Sequence, residues 1–192
     1  MGQLSLFSAN SVPPGVADLT GVLAAPGQIV RIGPGARLSV VVAQLWRAHA
    51  LAEMIGEAGL VAEITRTDEH HPLVRTAVDP CLREILTQWT RGAVKTVPPL
   101  WLPGPRALRA WTLAAGAADA GRYLLGLDPH APQTYSPLAS ALMRIGMAPT
   151  LVGTRGGRPA LRISGRRRLS RLVEHVGESP DDSDALSQWP HL

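Results

Sequence analysis

The sequence predicts an α+β fold built from two similar halves, and three observations support this. The chain has 192 residues, 45% of them hydrophobic, which is enough to form a core. A shift of 87 positions places Gly59 on Gly146 and Arg75 on Arg162. Each half then reads as a helix, a glycine, two strands and a second helix. Similarity at one fixed offset indicates a duplicated unit.

The predicted helices of the two halves share apolar faces. Residues spaced i, i+3, i+4 and i+7 lie on one side of a helix. The residues with this spacing are Leu51, Met54, Ile55, Ala58, Leu82, Ile85, Leu86 and Trp89 in the first half, and Leu138, Ala141, Leu142, Ile145, Leu169, Leu172, Val173 and Val176 in the second. We expect them to form the core.

The predicted strands alternate between apolar and polar residues, so each has one inward and one outward face. The predicted inward residues are Val74, Thr76, Leu161 and Ile163. The predicted outward residues are His71, Arg75, Arg158 and Arg162. Arg75 and Arg162 are then symmetry mates on an open face of each half.

Each half also begins with a segment rich in small residues. These segments are "VADLTGVLAAPG" and "RALRAWTLAAGAADAG". Alanine favours helix, and small side chains let two backbones approach closely. We expect both segments to be helical throughout.

This order of elements, present twice, resembles the LAGLIDADG homing endonuclease fold, and in particular the homing-endonuclease-like region of WhiA regulators. The best-matching stretches are "LTGVLAAPG", "TLAAGAADAG" and the segment from "SPLASALMRIG" to "RLVEHVG". The resemblance implies a saddle-shaped monomer of two pseudo-symmetric αββαββα-type repeats. It also implies that the two small-residue helices pack side by side and that the sheets lie along double-stranded DNA.

The resemblance gives a domain organisation with five segments. They are a disordered tail (1–15), a first repeat (16–93), a proline-rich linker (94–105), a second repeat (106–177) and an acidic disordered tail (178–192).

In the family that the chain resembles, each small-residue helix ends in a carboxylate that holds Mg²⁺ at the scissile phosphates. Such a metal requires hard oxygen ligands. Laid on the motif, Leu19–Gly27 places Pro26 at the position of the acid, and Leu113–Gly121 places Ala120 there. Neither side chain can bind a metal. The resemblance and these two residues together predict a protein that is not an enzyme and needs no cofactor.

The charge of the chain favours an anionic partner. The net charge is +4, the sequence pI is about 10.2, and all but one of the 19 basic residues are arginine. Arginine binds phosphate through its planar fork. The candidate DNA contacts, mainly to phosphates, are Arg31, His71, Arg75, Arg155, Arg158, Arg162, Arg166, Arg167 and Arg168.

The N-terminal pentapeptide "QLSLF" carries a second resemblance. Gln3, Leu4, Ser5, Leu6 and Phe7 agree with the peptide by which bacterial replication and repair proteins bind the β sliding clamp of DNA polymerase III. The resemblance implies that Leu6 and Phe7 enter one apolar pocket, Leu4 a neighbouring one, and that Gln3 supplies hydrogen bonds. The alternative is a staple that packs these residues on the protein's own surface.

These observations predict a non-catalytic DNA-binding accessory protein tethered to the β sliding clamp in DNA replication or repair. Cys81 is the single cysteine, and no apolar run has membrane-spanning length. We therefore expect a cytoplasmic, nucleoid-associated monomer with no membrane partner. The alternatives are a WhiA-like transcription regulator, a clamp-binding regulator without DNA contact, and a nuclease that uses Asp119 or Asp18.

Overall fold

Two antiparallel four-stranded sheets, one in each half of the chain, form the framework of the computed structural model, which describes residues 8–156 and 158–192. The first half contains α1 (Thr20–Ala24), β1 (Gln28–Ile32), β2 (Gly35–Val41), α2 (Leu45–Glu57), β3 (Ala62–Arg66), β4 (Pro72–Thr76) and α3 (Arg83–Trp89). A short hairpin of β5 (Thr90–Arg91) and β6 (Val94–Lys95) follows it. The remaining elements are α4 (Pro105–Ala115), β7 (Gly116–Asp119), β8 (Arg122–Gly126), α5 (Tyr135–Arg144), β9 (Thr150–Val152), β10 (Ala160–Ile163), α6 (Arg166–Val176) and α7 (Ser183–Gln188).

The two sheets have the same topology, which confirms the predicted duplication. Their strand orders are β1-β2-β4-β3 and β7-β8-β10-β9. Arg75 pairs with Glu63 and Arg162 pairs with Thr150, so the outer strand pairs keep the offset of 87 residues. The glycines after α2 and α5 are equivalent too, because Gly59 has φ +82° and Gly146 has φ +79°. Glycine adopts this left-handed conformation without steric cost, so it ends both helices.

The apolar helical faces identified in the sequence form the core. Leu51, Trp89, Leu138, Leu142 and Leu172 have no exposed side-chain surface. They belong to one cluster of buried residues that extends through both halves. Of the 16 residues predicted for the core, 13 are buried, and Ala58, Ile145 and Val173 are half-buried.

Helices α1 and α4 pack directly against each other and join the halves. At Gly21 a β-carbon would lie 1.7 Å from the Ala107 carbonyl oxygen and 2.9 Å from the Trp111 backbone nitrogen. Only a residue without a side chain permits this approach of the two backbones. The expected side-by-side packing of the small-residue helices is thus present.

The second small-residue helix ends six residues earlier than the sequence predicts. Helix α4 stops at Ala115, and Gly116–Asp119 is strand β7. Ala120 and Gly121 form the hairpin turn, with φ values of +41° and +77°. The helix propensity of alanine is outweighed here by pairing with β8, in which Ala118 lies opposite the buried Tyr123. The placement of Ala120 at a helix end was therefore wrong.

The first small-residue segment also differs from the expectation. Val16–Leu19 is a 3₁₀ turn, and the α-helical part is limited to Thr20–Ala24. Pro26 follows this helix and cannot extend it, since proline lacks a backbone N–H.

Both segments expected to be disordered tails contain packed residues. Ser8 and Ala9 are buried, and the turn Ala9–Ser11 contacts α4 and α6. At the other end, α7 contacts α2 and β7, and its residue Ala185 is fully buried. Trp189 is 5% exposed and its Nε1 donates to the Gly177 carbonyl oxygen (2.9 Å). Apolar residues four positions apart anchor this acidic segment, because they share one face of the helix.

Within the described residues, no helix has the length and apolar character required to cross a bilayer.

Candidate nucleic-acid interface

Each sheet has one face covered by helices and one open face. On β4, Val74 and Thr76 are buried on the covered face, and Arg75 is half-buried on the open face. On β10, Leu161 and Ile163 are buried and Arg162 is half-buried. The alternation predicted for both strands is confirmed. We call the sides that carry Arg75 and Arg162 the first and second open faces.

Two further arginines lie on these faces and were missed by the sequence analysis. Arg37 is two residues from Ser39, which pairs with Arg75, so it shares the first open face. Arg122 is two residues from Leu124, which pairs with Arg162, so it shares the second. The alternation of apolar and polar residues in "GARLSVV" and "RYLLG" could have identified both arginines. The apolar residues next to them on these strands are buried, which places the arginines on the opposite face.

The guanidinium groups on the open faces are partly covered by the surrounding residues. The Nε atoms of Arg37, Arg75 and Arg162 are hidden from solvent and have no hydrogen-bond partner. Arg75 Nη2 donates to Thr65 Oγ1 (3.2 Å) and lies 3.8 Å from the Glu63 carboxylate. Each guanidinium presents several donors in one plane, which is the geometry that binds phosphate oxygens.

Three other predicted contacts lie at the ends of the open faces. His71 precedes β4 and is exposed, with its backbone N–H donating to Thr67 Oγ1 (3.2 Å). Arg155 and Arg158 are exposed in the β9–β10 connection. The structure therefore places these three in the connections that join β3 to β4 and β9 to β10, next to the strands that carry Arg75 and Arg162.

Arg31 does not lie on the open face. It pairs with Ala36 and is two residues from the buried Ile29, so it belongs to the covered side of the sheet. There it lines a groove with Leu86 and Thr87 of α3. The sequence correctly predicted that Arg31 lies on an early strand. Because alternate residues of a strand face opposite sides of the sheet, Arg31 and Arg75 lie on different faces.

Arg166, Arg167 and Arg168 form a separate basic cluster. They are exposed at the start of α6, a helix that packs on α4. With Gly146 and Arg171 they line a cavity of about 540 Å³. The lining of this cavity does not include Arg122 or Arg162.

The C-terminal end of α1 is capped by a buried lysine. Lys95 Nζ donates to the carbonyl oxygens of Ala25 (2.7 Å) and Gly27 (2.8 Å) and to Asp128 Oδ2 (3.1 Å). These three bonds use all donors of the ammonium group. Lys95 is 9% exposed and Asp128 2%.

Asp128 is held as a carboxylate by its neighbours. Burial raises the pKa of Asp128. The positive charge of Lys95 lowers it, and so do hydrogen bonds from the His130 backbone N–H (3.0 Å) and Gln28 Nε2 (2.7 Å). The lowering effects together outweigh burial. The pKa of Asp128 is therefore below its ordinary value.

The C-terminal end of α4 is capped by a buried arginine from α2. Arg47 is 3% exposed, and its guanidinium stacks on Trp46 at 4.5 Å. Its acceptors are the carbonyl oxygens of Thr112 (3.0 Å), Leu113 (3.0 Å) and Gly116 (2.7 Å) and the side-chain oxygens of Gln44 (2.6 Å) and Gln188 (3.0 Å). All five donors are used. A cation is stabilised at this end by the helix dipole.

The residues at these two helix ends do not fit a divalent metal. Pro26 follows α1, and Ala115 is the last residue of α4. The Asp128 carboxylate near α1 is already bonded to Lys95. Across residues 8–156 and 158–192, no group of three or more histidine, cysteine, aspartate or glutamate side chains could hold a metal ion.

The two acids considered for catalysis have other positions. Asp18 accepts from the Gly15 N–H (2.8 Å) and pairs with Arg106 (2.9 Å). Asp119 is on β7, opposite Arg122. Asp18 therefore stabilises the start of the first helical segment, and Asp119 lies on a strand instead of a helix.

Solved structures share this fold. The homing endonuclease I-WcaI, bound to its DNA recognition sequence, gives a TM-score of 0.62 at 11% identity, over 92% of this chain and 83% of that one. The N-terminal LAGLIDADG domain of WhiA gives 0.59 at 13% identity, over 93% and 97%. Full-length WhiA from Thermatoga maritima gives 0.61 at 12% identity, over 84% of this chain and 54% of that one. No family model and no curated protein sequence matches. The chain therefore has the LAGLIDADG-type fold.

The pentapeptide Gln3–Phe7 lies outside the described residues. The chain described after it begins with Ser8, which is 4% exposed and is followed by the fully buried Ala9.

Proposed function

We propose that this protein is a non-catalytic DNA-binding protein that holds duplex DNA on its open sheet faces and is tethered to the β sliding clamp. The observation that carries the proposal is the set of guanidinium groups on the open faces, Arg37, Arg75, Arg122 and Arg162. Their chemistry matches phosphate oxygens. The DNA-bound state of I-WcaI, which shares the fold, supports a nucleic-acid partner.

The absence of catalysis is supported by the two capped helix ends. A divalent ion at either end would compete with Lys95 or Arg47 for the same carbonyl oxygens. It would also stand close to a buried positive charge, and like charges repel strongly at low dielectric. The two side chains have no unused donor, so neither is available to a phosphate.

The clamp tether is supported by the agreement of Gln3–Phe7 with the clamp-binding pentapeptide. Burial of Leu4, Leu6 and Phe7 contributes roughly 1.5–3 kcal/mol each, and ordering the peptide costs about 1–2 kcal/mol per residue. These two contributions nearly cancel. Hydrogen bonds and packing in the clamp pockets would therefore have to supply the net affinity, which we expect to be micromolar. Two weak contacts on one chain reinforce each other through effective concentration.

A WhiA-like regulator is the second candidate, because the chain also shares its fold with the N-terminal domain of WhiA. The two proposals differ in sequence selectivity. A regulator selects a DNA sequence, whereas phosphate contacts bind different sequences equally.

The proposal is tested by two binding measurements with the full chain. Duplex DNA should bind in EDTA, with an affinity that falls steeply with salt, and should remain intact when Mg²⁺ is added. Cleavage abolished by Asp119→Asn or Asp18→Asn would instead favour the nuclease. Binding confined to one promoter sequence would favour the regulator.

The second measurement is affinity for the isolated clamp. Leu6→Ala/Phe7→Ala should abolish it, whereas Arg122→Ala/Arg162→Ala should leave it unchanged. Equal clamp binding by the wild type and the peptide variant would contradict the tether. Clamp binding without any DNA binding would favour the clamp regulator that does not contact DNA.

A further inference from the structure

We infer that the two open faces are not equivalent and that the second one supplies most of the DNA contact. This inference rests on the proposed function and assigns DNA to one half of the pseudo-symmetric fold. Three differences between equivalent positions carry it: the connections between the outer strands, the surroundings of the paired arginines, and the apolar content of the faces.

The connection between the outer strands reverses its charge between the halves. In the first half it carries the exposed acids Asp68 and Glu69. In the second half it carries the exposed Arg155 and Arg158. By the offset of 87, Arg155 stands at the position of Asp68. This end of the first open face therefore repels a phosphate backbone, and the same end of the second attracts it.

The symmetry-related arginines also differ in their partners. Arg75 is bonded to Thr65 and lies 3.8 Å from Glu63. The position equivalent to Glu63 is Thr150, which pairs with Arg162 and has no charge. Among the described residues, Arg162 has no ion pair with a carboxylate. Its charge is therefore available to a phosphate, whereas that of Arg75 is partly compensated.

The two sheets also differ in the number of arginines relative to carboxylates in their strands and hairpin connections. In the first sheet, four arginines (Arg31, Arg37, Arg66 and Arg75) occur with three carboxylates (Glu63, Asp68 and Glu69). In the second sheet, four arginines (Arg122, Arg155, Arg158 and Arg162) occur with one (Asp119). The first face also exposes apolar side chains, with Val30 at 49%, Val41 at 46% and Ile32 at 38%. Apolar surface gains nothing from phosphate.

A contact limited to the second face is small and predicts weak binding. When the logarithm of the binding constant is plotted against the logarithm of the salt concentration, four phosphate contacts give a slope between about −3 and −4. Binding of this strength benefits from a second anchor on the same chain.

The inference is tested with two matched pairs of substitutions, using duplex DNA between about 50 and 200 mM salt. Arg122→Ala/Arg162→Ala should weaken binding by tenfold or more and reduce the salt slope by about 2. Arg37→Ala/Arg75→Ala removes the same number of charges from the first face and should change affinity by less than about twofold. Circular dichroism checks that both variants are folded.

A gain-of-charge variant makes the test independent of any loss of stability. Asp68→Arg converts the first connection to the charge of Arg155 and should tighten binding, because it removes repulsion and adds an anchor. Equal losses from the two pairs, or no gain from Asp68→Arg, would overturn the inference and leave the proposed function standing. Absence of salt-sensitive DNA binding by the wild type would overturn the proposed function itself.

Discussion

Lys95 Nζ lies 3.1 Å from Oδ2 of Asp128, and this buried ion pair connects three parts of the chain. Lys95 belongs to the hairpin between the halves, and Asp128 follows β8 of the second half. The ammonium also bonds to Ala25 and Gly27 at the end of α1. The pair therefore fixes the end of the small-residue helix α1 to the second half of the chain.

Removing Lys95 should be strongly destabilising. Lys95→Met keeps most of the side-chain volume but leaves the Asp128 carboxylate buried without its partner, so we expect a loss of about 3–5 kcal/mol in the free energy of unfolding. Urea denaturation measures it. In Lys95→Met/Asp128→Asn the loss should be smaller than the sum of the two single losses. Additive losses would show that the two side chains do not interact.

The same pair should make stability depend on pH in the acid range. The pKa of Asp128 is lowered in the folded protein from its ordinary value of 3.8. Its contribution is therefore complete above that value and is lost as the pH falls through the folded-state pKa. We expect the stability difference between the wild type and Asp128→Asn to shrink below about pH 3.8. A difference independent of pH would contradict the assignment.

The contact between α1 and α4 depends on the absence of a side chain at Gly21. Gly21→Ala places a methyl group against the Ala107 carbonyl oxygen, so the helices must separate, at a cost of about 3 kcal/mol or more. Gly56→Ala is the matched control, because a β-carbon there meets nothing within 4 Å. It should raise stability by up to about 1 kcal/mol. Thermal unfolding of both variants distinguishes packing from helix propensity.

The C-terminal segment should contribute to stability in spite of its acidic composition. Trp189→Ala removes a side chain that is 5% exposed and that stacks with Arg109, so we expect a loss of about 3 kcal/mol. Leu186→Ala, at a side chain 67% exposed, should change stability by less than about 0.5 kcal/mol. Equal, small effects of both substitutions would show that α7 does not pack.

Periodicity predicted the repeat, the buried helical faces and the outward positions of Arg75 and Arg162. These features depend on local spacing, which the sequence displays directly. The end of α4 was missed because an alanine-rich segment has helix propensity throughout, and only pairing with β8 at Gly116 selects the strand. Charge and proline content likewise concealed α7, whose buried apolar residues are only Ala185 and the adjoining Trp189.

The side chains that cap the C-terminal ends of α1 and α4 could not be predicted from sequence spacing. Lys95 and Arg47 bond to residues far away in the chain, such as Asp128 and Gly116, and only the packed fold brings them together. The outward positions of Arg37 and Arg122 could have been predicted from the sequence, because each is next to an apolar residue that alternation places in the core. The clamp interaction of Gln3–Phe7 stays a prediction.

The most direct test of the account is binding of the full chain to duplex DNA with and without the β sliding clamp loaded on it. We expect the clamp to tighten binding by at least about tenfold, since two linked contacts then act together. The gain should disappear in Leu6→Ala/Phe7→Ala, which should still bind bare DNA like the wild type. Equal affinity for bare and clamp-loaded DNA, or a gain that survives the substitutions, would contradict the tethered DNA-binding function.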